Sequence, residues 1–550
     1  MKISKRLLIV GLFIMIGVLA FVLSANADDP VTNTGPGADS EEAVSAHAAA
    51  VTPIPTEAPS TLPTFIGKAA KAHPLPPARV PQNPYLAPNP FNYVHNDPWM
   101  SDTYDIAGPL GREPKVWSST LADARTYPDS YLFGCAGSAF DSHGRLVLSC
   151  TEAVQTGPDI EDKATGLSLV LVDPKSLAVL AHMHLPPPKP HTGQYFASSY
   201  LYLDNHDRSV VPMVDEDGKS KIKVIEVVES KGTLAFQEVT AYDVSDSVPP
   251  GDNINGLLAD WRGRIWFVVK NAGRVGVLDP VTGSIKTLAL EGSITNGFAI
   301  DRDAVYVATT QKMYRIGLDP DGVPQMIWED GYQNIGDPPK PGQLSAGTGT
   351  TPTVLGNGKY VAIADNADQV HVVVYRTDEK LKRNEDRIVC EVPVFKQGEG
   401  ADENSLIGSG RSLIAYNCYG NDLTRIMWTG TTVPSKPGIA RVDIDPNGKG
   451  CRLVWENDAV FVRDEAMKMS TRTGLVYVVS RKYDTEAGYP DPGLDVAYFT
   501  AIDFRTGKVI WERQLGTGFN FDGFEVDLIG PDGTAYIPQF GGLIALRDKR

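Results

Sequence analysis

An all-β, eight-bladed propeller of four-stranded antiparallel blades is the fold this sequence predicts, on three observations. Short runs of Val, Ile, Leu, Tyr and Phe, punctuated by Gly, Asp and Asn, fill residues 114–550 without sustained helical periodicity. A strand–turn–strand pattern recurs eight times, in units of about 55 residues. The last unit lacks one strand, and a matching strand lies upstream of the first.

The opening pattern reads GSAFDSHGRLVLS, SSYLYLDNHDRSVVPM, NGLLADWRGRIWFV and NGFAIDRDAVYVA. It continues as TPTVLGNGKYVAIA, NSLIGSGRSLIAY, AMKMSTRTGLVYVV and EVDLIGPDGTAYIP. A second hairpin closes the units, turning at Asp173, Asp279, Asp319, Asp445 and Asp503. Divergent copies are IKVIEVVESKGTLAFQEV and VHVVVYRTDEKLKRNEDRIVCEV. An Asp side chain bonds the backbone of its own turn and Gly accepts positive φ, so both residues suit such reversals. Two hairpins make one four-stranded blade. A seven-blade reading would turn one unit into a loop insertion.

The final unit ends in GGLIALRDKR, a third strand. Upstream, EPKVWSST carries Trp117 where other fourth strands carry Trp328, Trp455 and Trp511. Residues near 115–119 are therefore expected to complete the eighth blade and close the ring, leaving only short edges. The Trp rings are expected to pack between neighbouring blades.

Ahead of the ring, Lys2, Lys5 and Arg6 precede an apolar run over residues 7–23, followed by Ala25-Asn26-Ala27. This is the layout of an export signal. Residues 1–27 are either a cleaved signal peptide or a retained membrane anchor, and the protein is expected to be exported, periplasmic or secreted. Residues 28–92, rich in Pro, Ala and Thr, read as a disordered tether with no core of their own. Residues 93–113 are richer in aromatics and are expected to pack on the propeller or cap one mouth, with Trp99 and Tyr104 as anchors.

The net charge is −16. Removing residues 1–27 would take away Lys2, Lys5 and Arg6 and no acid, deepening it to −19. Such a chain is no nucleic-acid binder, because a phosphate backbone needs a basic surface. Five cysteines in an exported chain point to disulfides. Cys135 and Cys150 are equidistant from the turn at Ser142-His143, so they face each other across the first hairpin. Cys390 on the fourth strand of blade five and Cys418 on the second strand of blade six would staple adjacent blades. Cys451 is then left free or replaces one of that pair.

The first strands of all blades surround the axis, and the loops leading into them line one mouth, where ligands bind. Gln194, Tyr195, Asn253, Thr348 and Arg463 stand there as ligand-binding candidates. Asn255, Asn296, Glu403, Asp464, Glu465 and Asp522 are the candidate metal set, since carboxylate and amide oxygens converging on one axis suit Ca²⁺. His182 and His184 share one strand face, and the bland reading is an exposed strand end.

The Asn-Gly openings at Asn255-Gly256 and Asn296-Gly297 resemble strand openings of the SMP-30/gluconolactonase-like and strictosidine-synthase-like propellers. That resemblance implies an Asn helping to hold an axial metal. The segment YFTAIDFRTGKVIWERQLG followed by DGTAYIPQFGGLIAL is similar to the repeat of pyrroloquinoline-quinone-type propellers, though no adjacent Cys pair is present. Those families include quinone-dependent dehydrogenases and non-enzymatic assembly proteins, so the resemblance implies a fold before a function. Two functions are expected. One is an exported binding or scaffold module taking a small molecule or protein at its axial mouth. The other is a metal- or quinone-dependent oxidoreductase or lactonase-like hydrolase.

Overall fold

The computed structural model describes residues 51–125, 130–154, 164–186, 200–421, 435–463, 466–523 and 527–549. Residues 1–27, expected as a signal peptide or membrane anchor, and the start of the Pro-rich stretch lie outside them. Eight four-stranded antiparallel blades form the ring, and Phe65–Gly67 and Thr103–Tyr104 extend the sheet of blade 7 to six strands. The innermost strands of the blades are Ser130–Phe140, Tyr202–Leu203, Ile254–Ala259, Ala299–Ile300, Thr353–Leu355, Ile407–Ser409, Lys468–Ser470 and Leu528–Ile529. Blade 8 takes its fourth strand from Lys115–Ser119, which pairs with Gly542–Arg547, Trp117 opposite Ala545. The ring closes as the repeat arithmetic requires.

Recurring turns hold the repeat. Asp141, Asp204 and Asp260 open the inner hairpins of blades 1 to 3. Each accepts backbone N–H groups two and four residues on. Arg145, Arg208 and Arg264 fold back onto the same carboxylates at 2.6 Å. Between blades, Trp328 stacks on Tyr375 at 6.2 Å, and Trp455 donates to the Phe504 carbonyl at 2.9 Å. An outer-strand indole thus binds each of these blades to the next.

Cys135 and Cys150 are bonded across the first hairpin, at a bulge between the pairs Phe133–Thr151 and Gly137–Ser149. The second bond corrects the expectation. Cys390 joins Cys451, with Cα atoms 5.8 Å apart, and not Cys418. Both partners lie on outer strands, Ile388–Pro393 and Cys451–Asn457, which neighbour each other at the rim. Cys418 sits further in, buried, its Sγ directed at the Gly342 carbonyl at 3.3 Å. Replacing Cys390 and Cys451 together by Ser should lower stability by about 2–4 kcal/mol. Denaturant unfolding under oxidising conditions checks this, and Cys418→Ser should leave both bonds intact.

The stretch expected to be a tether is ordered on the propeller from residue 51 onward. Phe65–Gly67 pairs antiparallel with the outer strand of blade 7, Phe65 opposite Arg513. Asp484 accepts from Ser60 Oγ at 2.8 Å and from the Thr61 backbone and hydroxyl at 2.5 and 2.8 Å. His73 and Leu75 donate to the carbonyls of Thr473 and Thr471, both at 2.8 Å. Such a segment needs no core of its own, because an exposed blade edge offers unpaired backbone groups to any extended chain.

Candidate functional site

Residues 83–106 run into the centre of the ring and meet the innermost strand of every blade. Phe140, Leu203, Ile300, Val354, Gly408 and Met469 donate their backbone N–H to the carbonyls of Phe91, Asn92, Pro98, Trp99, Ser101 and Asp102. Asn83 Nδ2 donates to the Ala259 carbonyl at 2.8 Å in blade 3. Tyr104 packs with Ile529 of blade 8. Most of these contacts lie near the tight turns between first and second strands, so the segment enters from that face. Its middle goes deeper: Tyr93 and His95 pack against Tyr200, beside Asn296.

The sequence explains the tight path. Asp97 Oδ1 accepts the Trp99 backbone N–H at 2.9 Å, and Ser101 Oγ gives Asp97 Oδ2 a 2.5 Å bond. Asn96, Met100 and Asp102 adopt positive φ, which Asn and Asp tolerate best. Burial pushes the Asp97 carboxyl up to about 7, against hydrogen bonds from Ser101 and Trp99. The folded chain therefore holds this proton more tightly than the unfolded one. Asp97's contribution is complete below about pH 4 and is lost as pH rises through about 7. Asp97→Asn should flatten that decline, as thermal melts between these values will read.

At the segment's deepest point lies a buried ionic cluster. Asp102 receives Lys468 Nζ on Oδ1, and His95 Nδ1 lies 3.1 Å from its Oδ2. Ser405 Oγ also donates to Asp102 Oδ2 and lies 3.1 Å from the same His95 nitrogen. Lys468 Nζ further donates to the Val94 carbonyl and to Asn96 Oδ1, both at 2.9 Å. The Lys468 and Asp102 side chains have no exposed surface. Burial would raise the Asp102 carboxyl, but Lys468 and His95 outweigh it and hold it below the usual range. Burial lowers Lys468 despite that partner. Ser405, His95 and Asp102 do not form a nucleophile relay, because serine and carboxylate both meet Nδ1.

A second cluster stands beside the opposite mouth. Arg463 meets Asp495 at 2.6 Å and Asp522 at 2.8 Å. Arg481 meets the same two carboxylates at 3.1 and 2.6 Å. Burial would raise Asp522, yet the two guanidiniums hold it below the usual carboxylate range. Arg463, foreseen as a ligand contact, is fully buried in this cluster.

The other candidates separate. Gln194, Tyr195, Asp464 and Glu465 fall outside the described residues. Asn253 and Asn255 are half-buried where the chain enters blade 3. Thr348 Oγ1 bonds Thr350 Oγ1 at 2.9 Å and the Ala364 carbonyl at 2.5 Å. Asn296 Oδ1 accepts from Tyr200 and Thr351, and its Nδ2 donates to the Gly349 carbonyl at 2.7 Å. Glu403 is buried on Glu403–Ser405, which pairs parallel with Gly349–Thr351. Among the described residues, no three of His, Cys, Asp and Glu converge as a metal site would require. Asn296 is turned into blade hydrogen bonds and Asp522 lies between two arginines, so neither of these two offers free oxygens to an axial Ca²⁺.

No protein-family model and no curated protein matches the chain. Solved propellers do match it in structure. Sqt1 of Chaetomium thermophilum, bound to the N-terminus of ribosomal protein L10, is 12% identical with a TM-score of 0.43, covering 73% of this chain and 93% of that one. BamB of Moraxella catarrhalis is 13% identical with a TM-score of 0.31, covering 62% and 93%. Virginiamycin B lyase of Staphylococcus aureus is 12% identical with a TM-score of 0.35, covering 73% and 98%. These are likenesses of fold alone.

Sequence reading missed the buried cluster of His95, Asp102, Ser405 and Lys468, and the part of Arg481 and Asp495 in the second cluster. The available signal was YVHNDPWMSDTYD, where charged and amide residues interleave with aromatics too densely for a solvated linker.

Proposed function

We propose that this protein is an exported binding module that takes a protein partner at the mouth where each blade's outer strand leads into the next blade's inner strand. One observation carries the reading. The chain's own residues 83–106 occupy the channel from the turn side, against all eight blades, which supports binding at the other mouth. On the loop between blades 4 and 5, Ile335 and Leu344 stand 54% and 55% exposed. Two apolar side chains held out in water on one mouth loop are in keeping with a protein contact there. The apolar run at residues 7–23 and two disulfides support export into an oxidising compartment. The acidic net charge speaks for a protein or small-molecule partner over nucleic acid. If residues 7–23 are retained, they tether the module to a membrane.

The test is affinity capture from the native envelope, with cross-linking. Ile335→Asp with Leu344→Asp should abolish recovery of a specific partner. Val281→Asp, on a turn of the opposite face where Val281 is 92% exposed, should not. Equal loss from both variants, or from neither, would overturn the reading.

A further inference from the structure

The Lys468–Asp102 contact has the layout of a completed reaction site. Asp102 immediately precedes Thr103–Tyr104, which pairs in parallel with the innermost strand of blade 7, Thr103 opposite Met469. Lys468 and Asp102 are therefore neighbours in one register, their side chains meeting on one side of the ladder. Both are sealed from solvent. We propose that the Lys468 and Asp102 side chains are joined by an intramolecular amide bond, which fixes the channel segment covalently to blade 7.

The surrounding hydrogen bonds match that chemistry. A neutral lysine amine has two N–H donors and one lone pair. The Val94 carbonyl and Asn96 Oδ1 hold two Lys468 N–H groups, both at 2.9 Å, and the third points at Asp102 Oδ1, so passing that proton to the carboxylate leaves the lone pair facing the carboxyl. On the far side of that carboxyl, Ser405 and His95 engage Oδ2. There Ser405 donates to the oxygen that departs, which eases the break of the Cγ–Oδ2 bond. Nζ adds to Cγ, the Cγ–Oδ2 bond breaks, and Oδ2 departs as water with the carboxyl proton and one proton from Nζ. No oxidant or cofactor enters the balance. At rest Lys468 and Asp102 form an ion pair, and because burial lowers Lys468, transfer of one proton from Nζ to the carboxylate reaches the amine–acid form. Held in contact by the fold, the two groups react as one molecule, where positioning supplies a large rate advantage.

Peptide mapping of the purified, reduced full-length protein decides the matter. Trypsin should fail to cut after Lys468. A branched peptide should join the chain through Lys468 to the one carrying Asp102, lighter by one water than its two parts. The branch should vanish in Lys468→Arg, which keeps the charge but cannot form this amide. Recovery of separate, unmodified peptides ending at Lys468 and containing Asp102 would overturn the proposal. Both outcomes are read on the wild-type protein, so they hold even if the variant folds poorly.

Discussion

Asp102→Ala should be among the most damaging single substitutions in this protein, lowering stability by about 3–5 kcal/mol. The change leaves Lys468 Nζ sealed from solvent with only the Val94 carbonyl and Asn96 Oδ1 as partners. It also removes the carboxylate that Ser405 and His95 engage. A domain holds only about 5–15 kcal/mol in total, so the loss should show as a markedly lower denaturation midpoint. Asp102→Leu combined with Lys468→Met should be milder than the single variant, because no unpaired charge is then buried. A double variant as unstable as the single would refute this account of the cluster.

Asp522→Ala should have a comparable effect, again about 3–5 kcal/mol, for a different reason. It leaves Arg463 and Arg481 close together and sharing Asp495 alone. The pH dependence carries its own sign. Asp522 is held below its ordinary value in the fold, so its contribution is complete above about pH 4. It is lost as pH falls through the lower folded value. Unfolding curves on the acid side should therefore lose part of their slope in Asp522→Asn. An unchanged acid profile would show that the arginines do not hold this carboxylate.

The fold was legible because its signals are local and repeated. Asp260 caps its own turn wherever the blade sits, and Trp328 on an outer strand needs only a neighbouring blade to reach. Lys115–Ser119 betrayed its place through one Trp in a familiar setting. The sites were less legible, because each depends on residues far apart in the chain. Lys468 looks like an ordinary strand residue until the segment carrying Asp102 is laid beside it. Asn296 suits a metal in isolation, yet Tyr200, Thr351 and Gly349 consume its amide. Cys390 could be assigned a blade from sequence, but not whether Cys418 or Cys451 lay at the same radius. Residues 51–92 looked unstructured because their partners are exposed edges of blade 7, and composition says nothing of edges supplied by another part of the chain.

The closure of the ring has a consequence for the order of events during folding. Leu110 donates its backbone N–H to Asp548 across 438 positions, beside the strand pairing that seals blade 8. The channel segment is made before any blade, and the strand that locks the circle follows the first seven blades in the chain. Contacts of such long range are formed slowly, after the local hairpins. The chain would thus lay down its own central template first, gather hairpins around it, and keep one blade edge open until Gly542–Arg547 docks.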